Sequence, residues 1–402
     1  MDSVKKSGAR ILIYSHDTFG LGHLRRCRAI AHSLVEHFSN LSVLIISGSP
    51  IIGSFDFRAR VDFVRVPGVI KLRNGEYTSL KLHLDIEETL ELRQSIIQHT
   101  ADKFAPDLFL VDKEPLGLRG EVAPTLDLLR DRGTRLVVGF RDVLDAPDAL
   151  AREWARKKAI PALDTLYDDI WIYGLPEVYA PLDGLGLAPA TCDKIHYTGY
   201  LCAPAPAEPA GMRLPAITSQ PYLLVTTGGG GDGAGLIDWV LSAYEFCVAE
   251  NLPRPLPALL ILGPFMNGDT QEAFLRRADA LAGVEALRFE SHIEQLERHA
   301  TAFVAMGGYN TFCDILSHDK PALIVPRITP RMEQAIRASR AQTLGLTDLL
   351  YDPAENGAAE RDPRDMLAAL HRLADRPPPS RLALPGLRDG RARLADLAAP
   401  WI

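Results

Sequence analysis

Short, nearly unbroken apolar runs alternate with stretches of helical apolar spacing along most of this chain. Runs at 10–14, 41–46, 107–111, 135–140 and 169–173 read as strands buried on both faces. Helical spacing separates them at 24–38, 84–104 and 119–131. Strands that alternate with helices predict a doubly wound parallel α/β sheet. The pattern breaks at 203–217, a Pro- and Ala-rich stretch without periodicity, which reads as a linker. It restarts with a strand at 221–227, a run of glycines and a helix from about Leu236. Further strands follow at 256–262, 302–306 and 322–326, and a last helix at 388–399. The opening strand–glycine loop–helix unit thus recurs, which predicts two similar sheets. The expected division is a first domain over 1–202, a linker over 203–220, a second domain over 221–375 and a tail over 376–402.

Composition narrows the class. The chain has 402 residues, 47% of them hydrophobic and 24% charged, as in an ordinary globular protein of about two domains. A net charge of −7 gives the whole molecule no general attraction for polyanions, and the 7% aromatic content builds no stacking platform for nucleic acid. The five cysteines (Cys27, Cys192, Cys202, Cys247 and Cys313) lack metal-ligand spacing and read as thiols of a reducing compartment. No apolar run approaches the ~20 residues that span a bilayer, so the expectation is a soluble cytoplasmic protein.

The glycine loops carry the candidate chemistry. A glycine turn between strand and helix presents backbone N–H groups and the positive helix end to an anion. Gly20-x-Gly22 lacks the third glycine of the dinucleotide fingerprint, and GxxxxGK[ST] is absent from the chain. The run Gly228, Gly229, Gly230, Gly231 implies close approach by a phosphate or sugar, because it stands where parallel sheets bind ligands. Met306-Gly307-Gly308-Tyr309-Asn310-Thr311 is a second strand–turn–helix junction, with neutral hydrogen-bonding side chains at its mouth. Asp314 lies about one helical turn further in, where a carboxylate can accept from a ribose diol. Glu333-Gln334 opens the next helix near the same sheet edge.

The segment GGYNTFCDILSHDKPALIVPR…EQAIRAS resembles the donor-nucleotide motif of family 28 glycosyltransferases, which include the lipid II-forming N-acetylglucosaminyltransferases. Gly20-Leu21-Gly22-His23-Leu24-Arg25-Arg26 is similar to the GxGHxxR-type loop of that group and of related nucleotide-sugar hydrolases. The resemblance implies a GT-B fold, two Rossmann-like domains facing across a cleft, with the C-terminal helix returning to the first. It implies that Gly307, Gly308, Asn310 and Thr311 hold a diphosphate, Asp314 the ribose, Phe289 to Ile293 the base, and Gln334 the sugar. Arg288 would neutralise the diphosphate. Asp314 stands where the family usually has Glu, and Glu333 where it often has Gln, so sugar identity does not transfer.

Glycosyl transfer needs a stabilised leaving group and a base for the acceptor hydroxyl. A helix N-terminus with glycine amides serves the departing diphosphate without a metal. No Asp-x-Asp stands at a strand end, so neither metal nor cofactor is expected. His23 is the first choice of base, titrating near neutrality. Asp17 and His16 precede it and would orient or replace it. Gly22, Arg25 and Arg26 would border a phosphate-bearing acceptor. Glu114, Arg141 and Asp142 follow strands and would meet the acceptor at the same edge, with Glu114 a further candidate base. His292 and His318 read as structural.

The expected activity is inverting transfer from a UDP-sugar to a hydroxyl acceptor, lipid-linked acceptors at the inner face of a membrane included. Envelope polysaccharide synthesis would be its setting. A nucleotide-sugar hydrolase or epimerase on the same fold, and a non-catalytic nucleotide-sugar-binding partner, are the alternatives.

Overall fold

The computed structural model describes residues 8–16, 22–71, 77–203, 214–229, 231–355, 357 and 359–402. They form two compact units, the first running to Leu201 and resuming at Gly386–Ile402, the second comprising Cys202–Pro385.

Unit 1 contains β1 (Ala9–Ser15), α1 (Gly22–His37), β2 (Leu41–Ser47), β3 (Val61–Arg65), β4 (Val69–Lys71), β5 (Tyr77–Ser79) and α2 (Ile86–Phe104). It continues with β6 (Leu108–Asp112), α3 (Ala123–Asp131), β7 (Arg135–Arg141), α4 (Pro147–Lys157), α5 (Ala159–Thr165), β8 (Asp169–Tyr173), α6 (Pro189–Cys192) and β9 (Ile195–Tyr197). Seven strands form one parallel sheet in the order β3-β2-β1-β6-β7-β8-β9, with β4 and β5 a separate hairpin. Ile11, Leu12, Ile13, Leu108, Phe109, Leu110, Val137 and Val138 are all buried, because helices cover both faces of the sheet. Asp85 and Glu88 close a capping box that starts α2. The helix expected from residue 119 starts later: Leu118–Gly120 forms a 3-10 turn in which Arg119 takes a φ of 50°.

Unit 2 contains β10 (Leu223–Thr226), α7 (Ala234–Ala249), β11 (Ala258–Ile261), α8 (Gly268–Asp279), β12 (Val284–Leu287), α9 (Ile293–His299), β13 (Ala302–Ala305) and α10 (Tyr309–His318). It ends with β14 (Ala322–Ile324), α11 (Glu333–Thr343), β15 (Asp348–Leu349) and α12 (Pro363–Ala374). Its six strands are parallel in the order β12-β11-β10-β13-β14-β15. The last stretch of the expected linker is packed: Ile217 is buried with Tyr222 and Leu296, and its N–H donates to Glu285 (3.1 Å). Ala203 is likewise tied to Ser317 on α10 (3.0 Å).

The last helix, α13 (Gly390–Ala398), belongs to unit 1 and packs on α1, where Arg391 meets Glu36 at 3.1 Å. Gly390 permits this junction, since a Cβ there would stand 2.6 Å from the Gly199 carbonyl oxygen. Among the described residues no helix is long and apolar enough to cross a membrane.

In each sheet the chain first builds outward on one side and then returns to build on the other. The reversal falls between β1 and β6 in unit 1 and between β10 and β13 in unit 2. Connections leave such neighbouring strands in opposite directions, which opens a crevice at their carboxyl ends where open α/β sheets bind ligands.

Candidate functional site

At the unit 1 crevice, Tyr14 pairs with Val111, so the ends of β1 and β6 emerge side by side. The first turn of α1 brings His23 over the same point. His23 Nδ1 lies 2.5 Å from Asp112 Oδ2, with the His23 side chain 22% exposed and Asp112 only 1%. Arg26, one turn along α1, donates to the same carboxylate from Nε (2.9 Å to Oδ1) and Nη2 (2.7 Å to Oδ1, 2.8 Å to Oδ2). Burial works against the Asp112 charge, yet Arg26 and His23 outweigh it and hold the carboxyl at about 2. Burial lowers His23 to about 4, Asp112 opposing and Arg26 and Lys113 adding to the fall. The imidazole is therefore neutral at physiological pH and partly open to solvent.

His16 sits behind it, buried, with the two rings edge to face at 5.9 Å. Burial, then Lys113 and His23, push His16 well below the ordinary histidine range. The Tyr14 hydroxyl lies 3.5 Å from His16 Nδ1 and donates to Glu121 (2.5 Å), which Arg93 holds through two bonds of 2.6 Å. His16 is thus part of a buried polar support under the crevice. Asp17 lies outside the described residues.

The other unit 1 candidates divide. Glu114 is buried and accepts from Lys157 (2.8 Å), with Lys113 3.6 Å away, so the candidate base is instead an ion-pair member. Asp142 is fully buried and accepts from the Tyr200 hydroxyl (2.8 Å), which removes it from an acceptor surface. Arg26 is 3% exposed and committed to Asp112, so it is not a surface phosphate ligand. Gly22 is exposed at the start of α1, Arg25 is half-buried one turn later, and Arg141 is half-buried at the end of β7.

At the unit 2 crevice Thr226 pairs with Ala305, which places the two glycine loops next to each other. Gly228 takes a φ of 66°, and the Gly229 carbonyl accepts from the Phe265 N–H (3.0 Å). Gly230 lies outside the described residues. Gly307 takes a φ of 77°, and a Cβ there would stand 2.6 Å from an Ile324 methyl. Gly308 caps α10 with φ −57°, and, apart from Gly308 and its two chain neighbours, no heavy atom of the described residues comes within 4 Å of where its Cβ would be. The protein's own packing leaves that space open above the helix N-terminus. Asn310 and Thr311 occupy the first turn of α10, partly exposed, and Asp314 follows one turn in, half-buried.

Glu333 and Gln334 start α11 buried. Arg327, after β14, gathers them: its Nη2 donates to Glu333 (2.6 Å), its N–H to Gln334 (3.2 Å), and its Nε faces Asp232 of the glycine loop (2.8 Å). The donor-side expectations at the base differ in detail. Phe289 is 55% exposed after β12, whereas Ile293 starts α9 and packs on the unit 2 core. Arg288 pairs on the surface with Glu272 at 2.5 Å.

Sequence reasoning missed Asp112 and Arg327. The signal for Asp112 was its place at the end of an apolar strand, two residues before the equally charged Glu114. Arg327 followed a strand in the same manner. Among the described residues, no group of three His, Cys, Asp or Glu side chains has the arrangement of a metal site.

No protein-family model matches the chain, and no curated protein matches it. Solved structures do. The chain is similar to Medicago truncatula UGT71G1 complexed with UDP-glucose, at 12% identity over 100% of both chains with a TM-score of 0.63. It is similar to the glycotransferase of kitacinnamycin, at 15% identity over 98% of this chain and 99% of that one (TM-score 0.62). Acinetobacter baumannii MurG matches at 13% identity over 98% and 99% (TM-score 0.60). The chain has the GT-B fold of these proteins, with two parallel-sheet α/β domains.

Proposed function

We propose that this protein transfers a sugar from a nucleotide-diphosphate sugar, with UDP as the carrier, to a hydroxyl acceptor, with inversion and without a metal. The observation that carries the reading is the His23–Asp112 pair at the unit 1 crevice. A neutral imidazole, partly open and oriented by a buried carboxylate, is the equipment of a general base. The GT-B fold and the UDP-glucose in the Medicago truncatula structure support the donor class.

His23 Nε2 accepts the proton of the acceptor hydroxyl as its oxygen attacks the anomeric carbon. The bond from that carbon to the diphosphate oxygen breaks, and the nucleoside diphosphate leaves with the electron pair. Attack opposite the leaving group inverts the centre. Asp112 stabilises the imidazolium as it forms. The α10 N-terminus, with the open space at Gly308, is the proposed seat of the diphosphate, where backbone N–H groups and the helix dipole meet its developing charge. Asp314 is the proposed ribose ligand. Glu333 and Gln334, held by Arg327, are the proposed sugar contacts.

The test is calorimetry with UDP, other nucleoside diphosphates and UDP-sugars, followed by turnover with a panel of phenolic, sugar and lipid-linked hydroxyl acceptors. Tight UDP binding and sugar transfer insensitive to EDTA are expected. Absence of nucleotide binding would overturn the reading. UDP-sugar cleavage that no acceptor diverts from water would replace it with a hydrolase.

A further inference from the structure

His23 Nδ1 has two close neighbours of opposite character, Asp112 Oδ2 at 2.5 Å and Arg26 Nη2 at 2.9 Å. A bare nitrogen lone pair facing a carboxylate oxygen at that distance would be repelled. The shorter, charge-assisted contact to the carboxylate favours a proton on Nδ1, donated to Asp112, over an Arg26 N–H donated to a bare Nδ1, and Nε2 then holds the basic lone pair. Arg26 donates to the carboxylate from Nε and Nη2, reaching both of its oxygens, and Nη2 also stands against Nδ1. The result is a cluster of three groups in mutual contact, imidazole, carboxylate and guanidinium, with the last two buried and charged at neutral pH.

We propose that Arg26 is a positioning residue that fixes the Asp112 carboxylate against Nδ1 and, by supplying that carboxylate's countercharge, keeps the imidazole neutral. A buried histidine–carboxylate pair on its own tends to become an ion pair, because the unbalanced carboxylate draws a proton onto the ring. Here the balancing cation is already in place one turn along the same helix. A second proton on His23 would put an imidazolium beside the guanidinium. Burial is the largest cause that keeps the ring neutral, and among the described residues the other cations near it act in the same direction. Lys113, after β6, opposes protonation of His23, while His16, after β1, is itself kept neutral with Lys157 and Arg93 near it. The Tyr173 hydroxyl beside Asp112 is buried and un-ionised. Arg26 is bidentate and planar, which a lysine cannot reproduce.

This inference rests on the proposed role of His23 as base, but its primary readout does not. In the full chain, NMR titration of the His23 imidazole is compared in the wild type, Arg26→Gln and Arg26→Lys, with folding followed by circular dichroism. The wild-type ring is expected to stay neutral, with its proton on Nδ1, until well below the ordinary histidine midpoint of about 6.5. Arg26→Gln should raise the midpoint by about one to two pH units, and Arg26→Lys, which keeps the charge, should raise it less. The acidic limb of the turnover profile should move with it. A wild-type ring that titrates at or above about 6.5 overturns the proposal, whatever the variants do. So does a folded Arg26→Gln protein with an unmoved titration, since a merely structural arginine would change stability alone. If the titration moves as expected while no donor or acceptor is turned over, the Arg26 assignment stands and the transferase reading falls.

Discussion

The fully buried Arg337 guanidinium donates to the Gly307 carbonyl at 2.9 Å, tying α11 to the turn between β13 and α10. The same guanidinium lies 5.8 Å from the Tyr309 ring centre. The carbonyl of the turn is thereby held inward, and the peptide units that follow it run into the α10 N-terminus. Arg337→Met should leave a buried carbonyl without this donor and destabilise unit 2 by about 1–3 kcal/mol, read by urea denaturation. UDP affinity should fall as well, because the turn is no longer held. Unchanged stability would show that the bond does not organise the turn.

Gly307 and Gly308 are adjacent but required for different reasons. Alanine at 307 meets a left-handed backbone and the Ile324 methyl, so it should destabilise the fold. Valine at 308 meets neither, so the Gly308→Val protein should fold as the wild type does while losing UDP binding. Calorimetry with equal affinities for both proteins would remove the diphosphate from α10.

His23→Ala should lower turnover by about 10²–10⁴-fold with donor affinity nearly unchanged, the pattern of a lost general base. Asp112→Asn should also reduce turnover, since the amide no longer favours the Nδ1–H form. The composition of the loop alone suggests a pH limb near neutrality. With His23 lowered to about 4, the rate should instead be flat through neutrality and fall only as the pH approaches that value. A limb near 6.5 in the wild type would contradict this environment.

Acid should weaken unit 1 in two steps. The folded His23 binds its proton at about 4, below the ordinary value of about 6.5, so between these the unfolded chain takes up more protons. Stability present above about 6.5 is therefore lost as the pH falls through that window, on the order of 1–3 kcal/mol for this group. Asp112, at about 2 against about 3.9 unfolded, adds a second loss between those values. Urea midpoints at a series of pH values check both steps, and a His23→Gln protein should lose the first contribution.

Hydrophobic periodicity determined the class of this protein: apolar runs too continuous for a one-sided sheet, separated by helical spacing, require parallel strands covered on both faces. The restart after 203–217 indicated a second sheet, and glycines after β10 and β13 marked the loops that close approach would require. The short strands β3, β4, β5, β9, β12 and β15 escaped because two to five residues carry too little pattern to distinguish a strand from a loop. His23 was legible from its loop, but its partner was not. Asp112 and His23 are 89 residues apart and meet because β6 lies directly beside β1. Asp112 ends the strand, and Lys113 then turns away with a φ of 68°, which carries Glu114 to Lys157 instead. Arg26, Asp112, Glu114 and Asp142 look alike in sequence, as charged residues near strand or helix ends. Which of them faces a ligand and which neutralises another buried charge was decided only by tertiary packing, because burial gives each charge a partner that the chain's order does not specify.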